Sequence, residues 1–163
     1  MPNNERRWLV RSIRSLLLPA FKRYGFEVVP LTPEESRSEL RTAFPFGRLR
    51  REGTEGLEMV EIQLEKYGRP AFRLVFGVAP PSGISTALGH VAQQDIWAPY
   101  LDEYYVLYRR PLLRKWFSVW HWPGRSVNES DYDELVKSVV ELIPEVEQAL
   151  KNGKRGPHVR QVR

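Results

Sequence analysis

Between Gly56 and Pro80 two runs of alternating apolar residues face each other across one glycine-centred turn, GLEMVEIQLEKYGRPAFRLVFGVAP. In the first run Val60, Ile62 and Leu64 alternate with Glu61 and Gln63; in the second Phe72, Leu74, Phe76 and Val78 alternate with Arg73, Val75 and Gly77. A period of two is the signature of half-buried strands, so the segment predicts a long β-hairpin at the centre of a small sheet. Facing residues in an antiparallel pair sum to a constant. If both core faces lie on one side, Leu64 pairs with Phe72, Ile62 with Leu74 and Val60 with Phe76. That register leaves Tyr67, Gly68 and Arg69 as a three-residue loop, with Gly68 in the left-handed conformation and Pro70 just beyond it.

The flanking sequence predicts helices. From about Asn4 to Tyr24, Leu9, Val10, Ile13, Leu16, Leu17, Ala20, Phe21 and Tyr24 share one face, and Arg7, Arg11, Arg14 and Lys22 line the other. Pro19 falls inside this helix and kinks it; Gly25 ends it. A second amphipathic helix is expected from a Ser130 cap to Leu150, with an unbroken apolar stripe, Pro144 on its polar face and Gly153 as its stop. Shorter strands are expected at Phe26 to Leu31, Phe44 to Arg51, Tyr104 to Arg109 and Lys115 to His121, the last two flanking Pro111. WFSVWHW is apolar on both sides, as in a strand covered on two faces. Thr32 to Ser38 reads as a short helix, and Ser85 as the cap of a helix through Ile96. Helix, several strands, then helix gives an α+β fold, an antiparallel β-sheet with long N- and C-terminal helices packed on one face. We expect one domain over residues 1–153 and a disordered basic tail over 154–163.

The chain has 163 residues and a net charge of +5, unevenly placed. Residues 1–25 and 151–163 each contribute +5, while residues 26–150 are acidic by five charges. The basic balance therefore belongs to the ends. No apolar run approaches the roughly 20 residues that span a bilayer, and Arg11 and Arg14 interrupt the N-terminal apolar positions. No membrane association is expected, and the absence of Cys agrees with a cytoplasmic location.

Residues Leu17 to Phe26 (LLPAFKRYGF), Val60 to Gln63 followed by Lys66 and Tyr67, and Phe72 to Val78 (FRLVFGV) together resemble the bacterial family catalogued as domain of unknown function 4304. Phe46-Gly47-Arg48 matches its aromatic-x-Arg element and Trp116 its late Trp. Glu61 and Leu64 stand where more polar Asn and Lys types are common in that family. The resemblance covers about the first half of the chain and implies a fold, with an immunity-like or other protein-binding role only by analogy.

Catalytic signatures are thin. Gly83-Ile84-Ser85-Thr86-Ala87 approaches the nucleophile elbow of Ser hydrolases, with Asp95 or Asp102 and His121 in triad order. But Pro80 to Ser82 separate it from the strand, and Ala87 replaces a glycine. His90 and Asp95 would lie on different faces of a helix, and no phosphate-binding glycine motif occurs, so neither metal nor cofactor is expected. For nucleic acid, Arg7, Trp8, Arg11, Arg14 and Lys22 with Lys154 and Arg155 offer phosphate contacts and one stacking ring. The leading expectation is a non-enzymatic module, monomer or homodimer, that binds a protein partner across the outer hairpin face through Glu61, Gln63 and Arg73.

Overall fold

The computed structural model describes residues 2–109 and 115–162, and its fold is α+β. The expected Pro111 and Arg163 positions lie outside the described residues. The first helix comprises α1 (Pro2–Ser12), a π-helical turn over Ile13–Leu17 and α2 (Leu18–Arg23). In the π turn the Leu18 N–H reaches back to the Ile13 carbonyl, which widens the helix just before Pro19. The proline then occupies the first turn of α2, where its missing N–H has no intrahelical role. Pro144 is accommodated in the same way. The expected single C-terminal helix is two, α5 (Glu129–Val140) and α6 (Ile143–Asn152), and Pro144 starts the second instead of interrupting one. Asn128, not Ser130, precedes α5, and its N–H donates to the Asp131 carboxylate at 2.9 Å.

Short helices α3 (Pro33–Ser36) and α4 (Leu40–Ala43) follow β1 (Glu27–Val29). A reciprocal Thr32–Glu35 box caps α3. The sheet continues with β2 (Arg48–Glu52), β3 (Leu57–Leu64) and β4 (Ala71–Ala79). Its β3–β4 register is the expected one, with Leu64 opposite Phe72, Ile62 opposite Leu74 and Val60 opposite Phe76. The connection is wider than three residues. Glu65 N–H still reaches Ala71 O at 3.0 Å, but Ala71 N–H turns back to Arg69 O around Pro70, and Gly68 has φ 90°. The Glu65 carboxylate closes the loop by accepting the Tyr67 and Arg69 N–H groups, each at 2.9 Å.

Beyond β4 the expected Ser85-capped helix is absent. Ile84–Thr86 and Gly89–Val91 form a two-stranded hairpin, β5 and β6, because glycines at both 83 and 89 take positive φ and disfavour a helix. Two single turns, Gln93–Asp95 and Ala98–Tyr100, lead to β7 (Tyr104–Leu107). The predicted strand Lys115 to His121 shrinks to β8 (Phe117–Ser118) against the start of β4. Phe117 is buried there, whereas Trp120 and Trp122 are more than half exposed, so the aromatic run is not covered on both sides.

The sheet order is β1-β2-β3-β4-β7-β9, with β8 also on β4. Strand β9 (Val159–Val162) lies within the segment expected to be a disordered tail; it pairs antiparallel with β7, and Val159 is buried opposite Leu107. Glu145 on α6 fastens it, accepting the His158 N–H at 2.9 Å and lying 2.7 Å from His158 Nδ1. Four residues, VRQV, are too few for a periodic signal, and their order comes from the partner strand. Deleting residues 157–163 is therefore expected to cost about 2 kcal/mol from Val159 burial alone, lowering the melting temperature by roughly 4–8 °C. A solvated tail would leave the melt unchanged.

One sheet face receives the helices. Leu9, Ile13, Leu17 and Phe21 pack with Tyr132, Val136, Val139 and Val146 onto Val60, Ile62, Leu74 and Phe76. The opposite face is partly covered by the strap formed by residues 80–103, whose Ile96, Ala98 and Leu101 pack on Leu57, Met59, Val75 and Val106. Gly77 makes room for it, since a Cβ there would lie 2.7 Å from Leu101 Cδ1. No described helix is long and apolar enough to cross a membrane.

Candidate binding site on the uncovered sheet face

Alternation along the strands sends Arg48, Arg50, Glu61, Gln63, Arg73 and Val75 to the strap side of the sheet. The strap divides them. Glu61 lies beneath it, 1% exposed, so the expected partner contact at Glu61 is overturned. Its two carboxylate oxygens accept the Ala98 N–H at 2.9 and 3.1 Å, and Arg50 stands 3.5 Å away. Arg50 in turn donates to Ile96 O at 2.7 Å, and Arg48 lies over the Trp97 ring and pairs with Glu35. Burial pushes the Glu61 carboxyl up to about 7, against the Ala98 bond and the Arg50 charge. Glu61 is thus a structural clasp between sheet and strap, and its cation is Arg50.

Gln63 and Arg73 lie nearer the hairpin tip, past the strap, and remain half-buried. They are opposite each other in the register, as the alternation required. Arg73 Nε donates to Gln63 Oε1 at 2.6 Å, and the guanidinium carbon sits 5.3 Å from the centre of the Trp116 ring. Burial lowers the Arg73 pKa, with only the Tyr104 and Tyr108 hydroxyls opposing that shift. Among the described residues no carboxylate pairs with this guanidinium.

A groove with further cations lies beside it, sharing Gln63 and Trp116 but not lined by Arg73 itself. Lys66 and Arg69 line this groove of about 550 Å³ with Gln63, Glu65, Tyr67 and Trp116. Arg160 of β9, on the same sheet face, lies over Tyr108, 5.5 Å from its ring centre. Glu65, the groove's one carboxylate, is already bonded to two loop N–H groups. Trp116 and Tyr108 were not among the residues expected to bind, and Arg160 was expected only as a phosphate contact of the basic tail. Trp116 reaches Arg73 only because β8 pairs at Ala71 and Phe72; no local pattern encodes that.

The residues expected to meet nucleic acid do not form one surface. Arg7, Arg11 and Arg14 line an open groove of about 730 Å³ along α1 with Arg6, Val10 and Ser15. Three of its arginines are engaged within the protein. Arg6 donates to Glu65 O and Thr42 O, Arg11 pairs with Glu129, and Arg14 lies over Phe46. Trp8 is not displayed for stacking, since it packs against the core with its ring 6.2 Å from that of Tyr132. Lys22, Lys154 and Arg155 are exposed but line no part of that groove.

The residues of the hydrolase pattern are also kept apart. Ser85 is on β5 opposite His90, whereas His121 lies 2.7 Å from Glu5 of α1. The same Glu5 oxygen accepts the buried Tyr132 hydroxyl at 2.7 Å. Burial would raise the Glu5 pKa, but these two partners outweigh it and hold the carboxyl below its usual value. The arrangement joins α1, α5 and the chain after β8. Among the described residues no three His, Asp or Glu side chains converge to hold a metal ion. No protein-family model, curated protein or solved structure matches this chain.

Proposed function

We propose that this protein is a non-enzymatic cytoplasmic binding module that recognises another protein through the uncovered part of its sheet, with Gln63, Arg73 and Trp116 at the centre. The observation that supports this reading is Arg73, a half-buried cation without a carboxylate partner among the described residues. Desolvating a charge costs free energy unless it is paired, and a half-buried cation held by a neutral amide and an aromatic ring is the arrangement of a site awaiting its ligand. Arg, Trp and Tyr are also the residues that dominate binding energy at protein interfaces. The acidic balance of residues 26–150 and the internal engagement of the α1 arginines make nucleic acid the weaker reading.

The test is recovery of the tagged protein from its own cells, at low and high salt and with and without nuclease. A stoichiometric protein that survives both treatments is expected, and Arg73→Gln is expected to weaken its recovery at least tenfold, the loss of about one charge-assisted hydrogen bond. Material lost with nuclease, or with salt regardless of Arg73, overturns the proposal in favour of the basic α1 face.

A further inference from the structure

We infer that the group anchored at this site is a carboxylate carried by an acidic segment of the partner protein, received end-on by the two Nη groups of Arg73. The inference rests on the protein-binding reading above and names the chemistry of the partner. A guanidinium has five N–H donors in a plane. Gln63 takes the Nε donor and fixes the rotation of the group, while Trp116 lies against one of its faces. The outer fork, Nη1 and Nη2, has no described acceptor, and a planar carboxylate matches such a fork with two parallel bonds.

The surroundings favour a carboxylate over a phosphate. Lys66, Arg69 and Arg160 supply positive potential, while among the described residues the Arg73 guanidinium contacts Gln63 and Trp116, so the donors at the fork are one guanidinium and the Gln63 amide. Phosphate groups are generally held by clusters of arginines or by several backbone N–H groups at once. Here the walls are aromatic, and the backbone N–H groups of Tyr67 and Arg69 are consumed by Glu65. The groove shares Gln63 and Trp116 with Arg73 and lies beside it; it is open, with Tyr67 85% exposed, which suits an extended acidic segment that runs along the groove and presents one side chain to Arg73.

The experiment titrates the full chain with hexaglutamate and follows the Arg73 Nε–Hε and Trp116 indole N–H resonances by NMR. Parallel titrations use a phosphoserine hexapeptide and inorganic phosphate. With hexaglutamate both resonances are expected to shift saturably, and Arg73→Lys, which keeps the charge but loses the fork, is expected to weaken binding about tenfold. Unchanged dispersion of the remaining amide resonances shows that the variant is folded. Equal binding by Arg73→Lys overturns the bidentate assignment, and tighter binding of either phosphate probe overturns the carboxylate. Shifts confined to Arg7, Arg11 and Arg14, or none at all, overturn the site. In each of these cases an Arg73-dependent protein recovered from cells would leave the protein-binding reading standing, whereas loss of that recovery alone would remove it.

Discussion

Glu61→Ala is expected to destabilise the fold by about 3–5 kcal/mol, the usual cost of leaving one member of a buried ion pair without its partner. The substitution strands Arg50, 7% exposed, and frees the Ala98 N–H that ties the strap to the sheet. Denaturant titration measures the loss, and hydrogen exchange should show it concentrated at residues 92–101. A Glu61→Gln variant separates charge from shape. Burial holds the Glu61 carboxyl near 7 in the folded protein, while Arg50, Arg48 and the Ala98 N–H oppose it and Glu35 faces Arg50 from α3. The folded state therefore keeps a proton that the unfolded chain releases from about pH 4.5 upward. Its contribution to stability is greatest below pH 4.5, declines as the pH rises toward 7, and is constant above that. Glu5 and Glu65, whose carboxyls are lowered, act with the opposite sign and in the acid range, their contributions being lost as the pH falls through their folded values. Glu61→Gln is thus expected to flatten the stability profile between about pH 4.5 and 7 while leaving the contributions of Glu5 and Glu65 in place. An unchanged slope in that window would contradict this account of Glu61.

Arg51→Ala is expected to cost a comparable 3–5 kcal/mol, by the opposite route of removing the shared cation. Arg51 lies on the helix side of β2, 2.7 Å from each of two buried carboxylates, Glu58 on β3 and Glu147 on α6. It also donates to Tyr24 O at the end of α2 and covers the Phe26 ring at 4.3 Å. Four elements meet at one guanidinium. Without it Glu58 has no described cation and Glu147 retains only Lys151 at 3.0 Å, on a largely exposed side chain. Thermal melts of Arg51→Ala and Arg51→Lys should order wild type, Lys, then Ala, because Lys restores charge but cannot span both acids with a planar fork. Equal stability of Lys and Ala would show that packing against Phe26, and not the ion pairs, holds this corner.

Elements whose order comes from repeated local pattern are legible in the sequence. The β3–β4 register follows from alternation alone, since a one-residue slip would turn Phe72, Leu74 and Phe76 to the opposite face. The helices were legible by their stripes, but the two prolines changed their geometry: the chain resolved Pro19 with a π turn and Pro144 with a helix boundary. Neither choice is written in the periodicity, because a proline states only which hydrogen bond is missing and not how its neighbours compensate. Residues 80–103 were misread because they have little regular structure, being ordered by apolar contacts with a sheet face that alternation alone marks as outward.

The candidate site divides along the same line. The sequence by itself determined that Gln63 and Arg73 would meet on the outer side of the hairpin, because pairing and parity are properties of the strands. Tertiary structure decided that Glu61, two residues from Gln63 on that same side, would be buried under the strap while Arg73 stayed half-buried beyond it, and that Trp116, just before β8, and Arg160 of β9 would come to this side from segments distant in sequence. The physical reason is that burial and charge pairing are set by which distant segments arrive at a face. A strand's own pattern specifies the face without specifying what covers it.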